Sequence, residues 1–335
     1  MRFKKLTLPS TVMEKPSDGG LNQWILYYIQ REILGAGSKH TERAKIRDLG
    51  LFLGFVENRL PEPDIKYWTR GITGEFINKA AQIYAPSTVN RMLATLSGFA
   101  QFLEKSGAIK YEENPVRKIK GPKKDPLQPQ GIRVENYHTG EIIETGEPVF
   151  EKMIQTIMKH KNKFSLRNAT ILILLYYTGM RVDELINLKF SQLDMNPNGN
   201  GGWIRNVKCK GNKIRDIFIN NKAKSWLIKY INSLKDSKNR TYIFSSKTGK
   251  KLSQSDIWRI VNKVAVQTAR QLYPQNTVIK VHPHSFRHER AYNLLRKTKM
   301  GDSFVAEQLG HSSTNYIARY TRRTEDEVAE ILKDV

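Results

Sequence analysis

The stretch LRNATILILLYYTGMRVDEL, residues 166–185, contains the longest apolar run of the chain, from Ile171 to Tyr177. This run is far shorter than the ~20 residues that cross a bilayer, so it predicts a buried helix over residues 166–178. A glycine follows where that helix would end, and Arg181 opens the next helix. Glu184, three residues later, is placed to brace the arginine or to cap the helix. Taken alone, such a connection favours a structural role for the arginine.

Beyond this stretch, the apolar spacing predicts a second half that is mainly helical with a small sheet. Further helices are expected over residues 149–160, 253–272, 285–296 and 302–309, with Gly310 ending the last of them. Residues 203–208 and 214–220 alternate like strands around a short Gly/Asn turn, which predicts a β-hairpin. In the second strand, Arg215 shares a face with Ile217 and Ile219.

The first half of the chain is predicted to be helical. Helices are expected over residues 21–34 and 41–56, and a third begins with Ser87 as N-cap and ends at Gly107 as the C′ residue. Residues 122–148 are rich in Pro, Gly and charge and predict a linker. The predicted segments are an N-terminal extension (1–20), a helical domain (21–121), the linker (122–148), and a mixed domain (149–335) with a tail (324–335). The expected fold class is mainly α with a small β-sheet (α+β), in two domains.

The charge of the chain points to a polyanionic partner. Its 335 residues include 56 Lys and Arg against 32 Asp and Glu, a formal net charge of +24. Such an excess opposes a compact fold unless a polyanion shares the surface, which makes nucleic acid the leading partner. The alternative is a basic protein that is merely soluble.

The single cysteine, Cys209, excludes an internal disulfide framework and a Cys-rich zinc site, and it is typical of a reducing cytosol. We expect no signal peptide, because the first 18 residues are basic and mixed and hold no apolar core.

Three further clusters hold residues suited to chemistry. Lys210 lies at the tip of the predicted hairpin, where a lysine could reach a bound ligand and deliver a proton; Lys208 and Lys213 are close rivals. In HPHSFRH, residues 282–288, His284 and Arg287 lie three apart on one helix face, a pair that suits a phosphate. The alternative is a metal site built from the three histidines of that heptapeptide, which lacks a thiolate.

The last cluster is LGHSS, residues 309–313, followed by Tyr320 nine residues after His311. A lone tyrosine is usually a packing residue. Here the flanking sequence ARYTRR brings three cations, which ease ionisation of a phenol and attract a phosphate to the same place.

Each cluster is ambiguous alone, but their order resembles the catalytic signature of the tyrosine recombinase (phage integrase) family, of the Xer/integrase type. The matching residues are Arg181, Lys210, His284, Arg287, His311 and Tyr320. They stand in the stretches TGMRVDEL, KGNKIR, HPHSFRH and LGHSS. The first half resembles the family's core-binding domain, above all in APSTVNRMLATLSGFAQFLEKSG and NPVRKIK. The resemblance runs from about residue 21 to 320 and implies a two-domain clamp of a helical DNA-binding domain and a catalytic domain.

The resemblance implies DNA strand cleavage without metal, ATP or another cofactor. Tyr320 would attack the scissile phosphate and form a 3′-phosphotyrosyl bond. Arg181 and Arg287 would clamp the phosphate oxygens, and His311 would hydrogen-bond them. Lys210 would protonate the leaving 5′-oxygen, and His284 would accept a proton or orient a neighbour.

The implied partners are double-stranded DNA with a specific recombination site and further copies of the chain, with no membrane and in the cytoplasm on the nucleoid. In the synapse the family forms a tetramer through a tail such as residues 324–335, although this tail could instead pack in cis. The candidate DNA-binding residues are Arg91, Arg117, Lys118, Lys120, Lys123 and Lys124.

Two departures from the family pattern put acids near the expected phosphate site. They are Asp183, where the family often has a small residue or Ser, and Glu289, where it often has Thr.

Three functions remain as alternatives: a site-specific recombinase, a relaxing enzyme like the type IB topoisomerases, and a non-catalytic DNA-binding protein. The residues do not separate an integrase or excisionase of a mobile element from an Xer-like resolvase or a transposase.

Overall fold

The structure, a computed structural model, describes most of the chain. The described residues are 3–60, 62–123, 131–160, 162–195, 199–209, 213–234, 240–246, 248–297 and 301–310. The chain divides into two compact units, Met1–Asp125 and Pro126–Val335. Helices dominate both units, and two small three-stranded sheets lie in the second, so the α+β prediction is confirmed.

The first unit is helical. Its helices are α1 (Leu21–Tyr28), which continues as a π-helical turn (Ile29–Ile33), α2 (Lys39–Glu57), α3 (Arg70–Ala81) and α4 (Pro86–Lys105). The helix predicted to have Ser87 as its N-cap begins two residues earlier, because Pro86 occupies the first helical position, where its missing N–H costs nothing. Gly107 follows the helix end with a positive φ of 71°, as expected of a C′ glycine.

Aromatic packing holds this unit together. The ring of Trp68 stacks on Phe99 at 5.3 Å and lies 5.0 Å from Phe52, which also meets Phe76 at 5.3 Å. All four side chains are buried. Since these rings come from α2, α3, α4 and the turn before α3, they fix the mutual position of the helices.

The second unit consists of seven helices and six strands among its described residues. The helices are α5 (Glu147–Lys159), α6 (Ser165–Thr178), α7 (Val182–Ile186), α8 (Asn221–Asn232), α9 (Gln254–Leu272), α10 (Pro283–Lys297) and α11 (Asp302–Leu309). The strands are β1 (Arg133–Asn136), β2 (Ile142–Thr145), β3 (Leu193–Asp194), β4 (Gly202–Lys208), β5 (Ile214–Ile219) and β6 (Thr277–Lys280). They form two antiparallel sheets, ordered β2-β1-β6 and β3-β4-β5.

The first sheet alters the extent of the predicted linker. Residues 133–136 and 142–145 lie within the stretch expected to be a linker, yet they pair with each other, and residues 133–136 also pair with β6 in the second unit. The partner strand β6 is far away in sequence, and strands of four residues show too little alternation to be recognised locally. Of the predicted linker 122–148, only its beginning therefore lies at the boundary between the units.

Helix α6 forms the centre of the second core. Its residues 169–176 are all buried, and Phe150 of α5 stacks on Tyr176 at 3.9 Å. The helix also packs on α8 and α10, and a side chain of α10 donates a hydrogen bond to the glycine that ends α6. The predicted apolar helix is thus confirmed. No helix among the described residues is both long and apolar enough to cross a membrane.

Candidate active site

The turn after α6 brings Arg181 to the site. Gly179 ends α6 with a positive φ of 64°, and a Cβ there would lie 2.7 Å from a methyl carbon of Leu309. Only glycine suits this position, because both the backbone conformation and the contact exclude a side chain. The chain then enters α7 with Arg181 as its N-cap residue. The close contact at the glycine also packs the end of α6 against the last turn of α11.

Arg287 is the most deeply placed cation of the site. It lies in the first half of α10 and is 1% exposed. One guanidinium nitrogen donates to the Gly179 carbonyl at 2.8 Å, and another donates to the Leu309 carbonyl. A buried charge requires such partners, since a guanidinium without them would be very costly to remove from water.

Three guanidinium groups meet at the last turn of α11. Arg181 donates to the Gly310 carbonyl at 3.1 Å, Arg287 to Leu309, and Arg215 of β5 to the Gln308 carbonyl. These carbonyls have no partner inside the helix, and the negative end of the helix dipole favours cations there. The arrangement fixes the chain immediately before His311 against both predicted clamp arginines.

Glu184 connects two of these cations. Its carboxylate accepts from the backbone N–H of Arg181 at 2.8 Å, from the Arg181 guanidinium at 3.1 Å, and from Arg215 at 2.8 Å. Burial alone would raise the pKa of this carboxyl, but the charge of Arg215 and the hydrogen bonds lower the pKa below its ordinary value. The predicted bracing of Arg181 by Glu184 is therefore present.

His284 lies on α10 one turn before Arg287, with its ring edge-on to His288 at 4.5 Å between ring centres. Desolvation and then the positive charges of Arg287, His282 and Arg181 lower the pKa of His284 to about 4. The residue is exposed to solvent. Because of this low pKa, its imidazole is neutral near pH 7 when no DNA is bound. A neutral imidazole can accept a proton, as the predicted role requires.

We expect His284 to make folding stability fall as the pH falls from about 6.5 to about 4. In this window the unfolded chain binds a proton that the folded chain does not, so acid favours unfolding. The variant H284Q should lose less stability than the wild type between about pH 7 and pH 5, measured by urea unfolding. The matched control H138Q, at an exposed histidine, should follow the wild type; parallel behaviour of all three would contradict the expectation.

The structure brings Arg181, His284 and Arg287 into one site, as the order of the motifs predicts. Lys210, His311 and Tyr320 lie outside the described residues.

The two acids that depart from the family pattern are engaged elsewhere in hydrogen bonds. Asp183 accepts from Gln254 at 2.6 Å, and Glu289 accepts from the backbone N–H of Ile132 at 2.7 Å. Neither bond goes to an arginine of the site.

The predicted DNA-binding residues differ in their surroundings. Arg91 is partly exposed and bonded to the buried carboxylate of Asp48, while Arg117 is bonded to Glu104 and lies over the ring of Tyr111. Three lysines are exposed: Lys118, Lys120 and Lys123. Lys124 lies outside the described residues.

Arg91 also borders a concave basic surface that the sequence reading missed. This groove between α2 and α4 has a volume of about 830 Å³. Its lining includes the basic residues His40, Arg43, Lys45, Arg47 and Arg91. Arg43 and Arg47 of α2 lie four residues apart and therefore share one helix face, a spacing that the sequence already contained.

The metal alternative finds no support in the described part of the chain, where no group of three or more His, Cys, Asp and Glu residues could hold a metal ion.

Arg215 is the residue of the site that the sequence reading missed. Its position on the face of β5 shared with Ile217 and Ile219 was visible in the alternation pattern. An arginine on the apolar face of a strand needs a buried partner, and Glu184 is that partner.

Fold and site together define an α+β domain in which three arginines meet at one helix end. The model of the phage integrase family matches residues 149–327, which is more than half of the chain. A tyrosine recombinase of Agathobacter rectalis is 30% identical over 276 residues, covering 77% of this chain and 79% of that protein. The tyrosine recombinase XerC of Thermodesulfovibrio yellowstonii is 31% identical over 294 residues, covering 85% and 86%. The chain belongs to the phage integrase family and is a tyrosine-type site-specific recombinase.

Solved structures show the same fold. The XerH site-specific recombinase, in a post-cleavage complex with a palindromic difH substrate, superimposes with a TM-score of 0.71 at 17% identity, covering 99% of both chains. The Tn1549 transposon integrase in complex with circular intermediate DNA gives a TM-score of 0.69 at 14% identity, covering 95% of this chain and 100% of that one.

Proposed function

We propose that this recombinase cuts and rejoins double-stranded DNA at a specific site through a 3′-phosphotyrosyl intermediate. The observation that carries the proposal is the convergence of Arg181 and Arg287 on the turn before His311. Two fixed cations from distant parts of the chain can bind the two non-bridging oxygens of one phosphate and stabilise the charge of its pentacoordinate state.

In the proposed step, the phenol oxygen of Tyr320 forms a bond to the phosphorus while the bond to the 5′-oxygen breaks. Lys210 gives a proton to the departing 5′-oxygen, and neutral His284 takes up the proton that the phenol loses, either directly or through a neighbour that it orients. No water enters the product, so the phosphodiester energy is kept in the phosphotyrosine. A 5′-hydroxyl from another strand then reverses the step, which exchanges the strands.

DNA also explains the surface charge. The basic groove of the first unit and the exposed lysines at residues 118, 120 and 123 would follow the phosphate backbone. The solved relatives named above were bound to DNA recombination substrates or intermediates. A cytoplasmic, nucleoid-associated location follows from such a substrate.

We expect DNA affinity to fall steeply with salt. Six to ten neutralised phosphates would cost about 10³–10⁵ in affinity between about 50 and 200 mM salt, because bound counterions are released on binding. Fluorescence anisotropy with a labelled duplex measures this slope. A flat response over that range would contradict the electrostatic interpretation of the +24 net charge.

We propose that residues 324–335 join protomers into a synaptic tetramer. Val328, Ile331, Leu332 and Val335 are spaced as the apolar stripe of a short helix that needs a docking partner. A chain that ends at Arg323 should bind DNA but fail in synapsis and strand exchange. Normal exchange by that chain would show that the tail packs in cis or is dispensable.

A nicked suicide duplex tests the whole proposal. Candidate sites include the recombination site of a mobile element that carries the gene and the chromosomal sites used by Xer-like resolvases. A covalent protein–DNA adduct mapped to Tyr320, with recombinant joints on intact substrates, is the expected result. Adducts and supercoil relaxation without joints would favour the topoisomerase-like alternative. DNA binding without any adduct would leave only a non-catalytic role.

A further inference from the structure

Arg215 is buried at the edge of the proposed phosphate clamp. Its side chain is 10% exposed, and it bonds to Glu184 at 2.8 Å and to the Gln308 carbonyl. Its Nε atom is buried and has no hydrogen-bond partner among the described residues. The cost of burying this arginine is thus offset mainly by one carboxylate.

That carboxylate creates an electrostatic problem for the clamp. Glu184 is only 4% exposed and is ionised, and it bonds directly to Arg181. Alone, the pair of Arg181 and Glu184 would be neutral, and the clamp would offer a phosphate only the charge of Arg287. Arg215 supplies the missing positive charge on the other carboxylate oxygen.

Arg215 also ties three elements together. It lies on β5 opposite Val207 of β4, it reaches Glu184 of α7, and it holds the Gln308 carbonyl of α11. A Cβ at Gly310 would lie 3.0 Å from the Arg215 Cδ atom, so the arginine fills the space directly beneath the turn before His311.

We propose that Arg215 is a positioning residue for strand cleavage: it neutralises Glu184, so that this carboxylate does not cancel the positive charge that Arg181 presents to the scissile phosphate. The inference rests on the proposed function, since it presupposes that Arg181 binds the phosphate. Arg215 itself touches Glu184 and the α11 carbonyl rather than the substrate.

The test uses two versions of the nicked duplex, with a normal phosphate or a methylphosphonate at the cleaved position. The methylphosphonate replaces a charged oxygen by a methyl group, so its cleavage needs less positive charge from the enzyme. On the normal phosphate, we expect R215M to cleave about 10–10²-fold more slowly than the wild type, a smaller loss than the 10²–10³ typical of a donor that touches the transition state. On the methylphosphonate, the defects of R181A and R215M should both shrink strongly.

If a residue only supports the fold, the cleavage defect of its variant should be the same on the charged and the uncharged substrate. If R181A is rescued by the methylphosphonate while R215M keeps its full defect, the inference about Arg215 is wrong and the proposed function stands. If the wild type forms no adduct with Tyr320 on either duplex, the proposed function itself fails. The matched control is R205M, at an exposed arginine of β4 in the same hairpin. Arg205 pairs with Asp194 and Asp216, and the R205M variant should cleave at the normal rate.

Two further variants keep the test informative should R215M fold poorly. R215K retains the charge without the planar fork, so it should cleave the normal phosphate faster than R215M. E184Q/R215M removes the negative charge together with its partner, so it should also cleave the normal phosphate faster than R215M alone. A double variant as slow as R215M, or slower, would contradict the charge argument, because the site's net charge is then restored without effect.

Discussion

The variant Y320F should form no covalent complex with a suicide duplex while binding that duplex with the affinity of the wild type. A phenyl ring has the shape of the phenol but no oxygen to bond to phosphorus, so the chemical step has no nucleophile. Removing a nucleophile from a hydrolytic enzyme costs on the order of 10⁶ in rate, and a loss of that size leaves no adduct on a gel. Denaturing electrophoresis measures the adduct, and anisotropy measures the affinity.

The matched control is Y292F, at an exposed tyrosine of α10, which should form the adduct at the normal rate. Peptide mapping of the wild-type adduct provides an independent readout. An adduct formed by Y320F, or one mapped to another residue, would show that a different side chain attacks the DNA. Retained DNA binding without cleavage would separate the catalytic role of the phenol from the basic surface.

The variants R181A and R287A should both lose about 10²–10³ in cleavage rate, but only R287A should also lose much stability. Arg287 is almost fully buried, and its removal leaves the Gly179 and Leu309 carbonyls without their charged donors. Each such carbonyl costs about 1–3 kcal/mol, so we expect a loss of about 2–6 kcal/mol in the free energy of unfolding. The Arg181 side chain, by contrast, is 29% exposed. When Arg181 is removed, Glu184 still has Arg215 as its charged partner, so R181A should lose little stability.

Urea unfolding and single-turnover cleavage of the suicide duplex separate the two effects. The variant R259A, at an arginine of α9 whose side chain is 70% exposed, serves as control and should change neither quantity. Equal stability losses in R181A and R287A would contradict the difference in burial. Normal cleavage by either clamp variant would contradict its assignment to the phosphate.

Local pattern predicted most of the secondary structure. The helix over residues 166–178, the hairpin around residue 210 and the glycine that ends α11 were all visible, because hydrophobic period, turn residues and caps are encoded within a few positions. Helices α3 and α8 were missed, although side chains cap both. The sheet of β1, β2 and β6 was also missed, because its strands are short and their pairing depends on residues far apart in the chain.

The sequence alone determined which residue types are available for chemistry and in what order, and this was enough to identify the family. Tertiary structure alone decided that three arginines, from the N-cap of α7, from β5 and from α10, meet on three successive carbonyls at the carboxyl end of α11. It also decided that Arg215 and Arg181 share one carboxylate. Sequence spacing cannot show such convergence, because a buried charge is tolerated only where distant elements supply its partners, and those partners exist only once the core has packed.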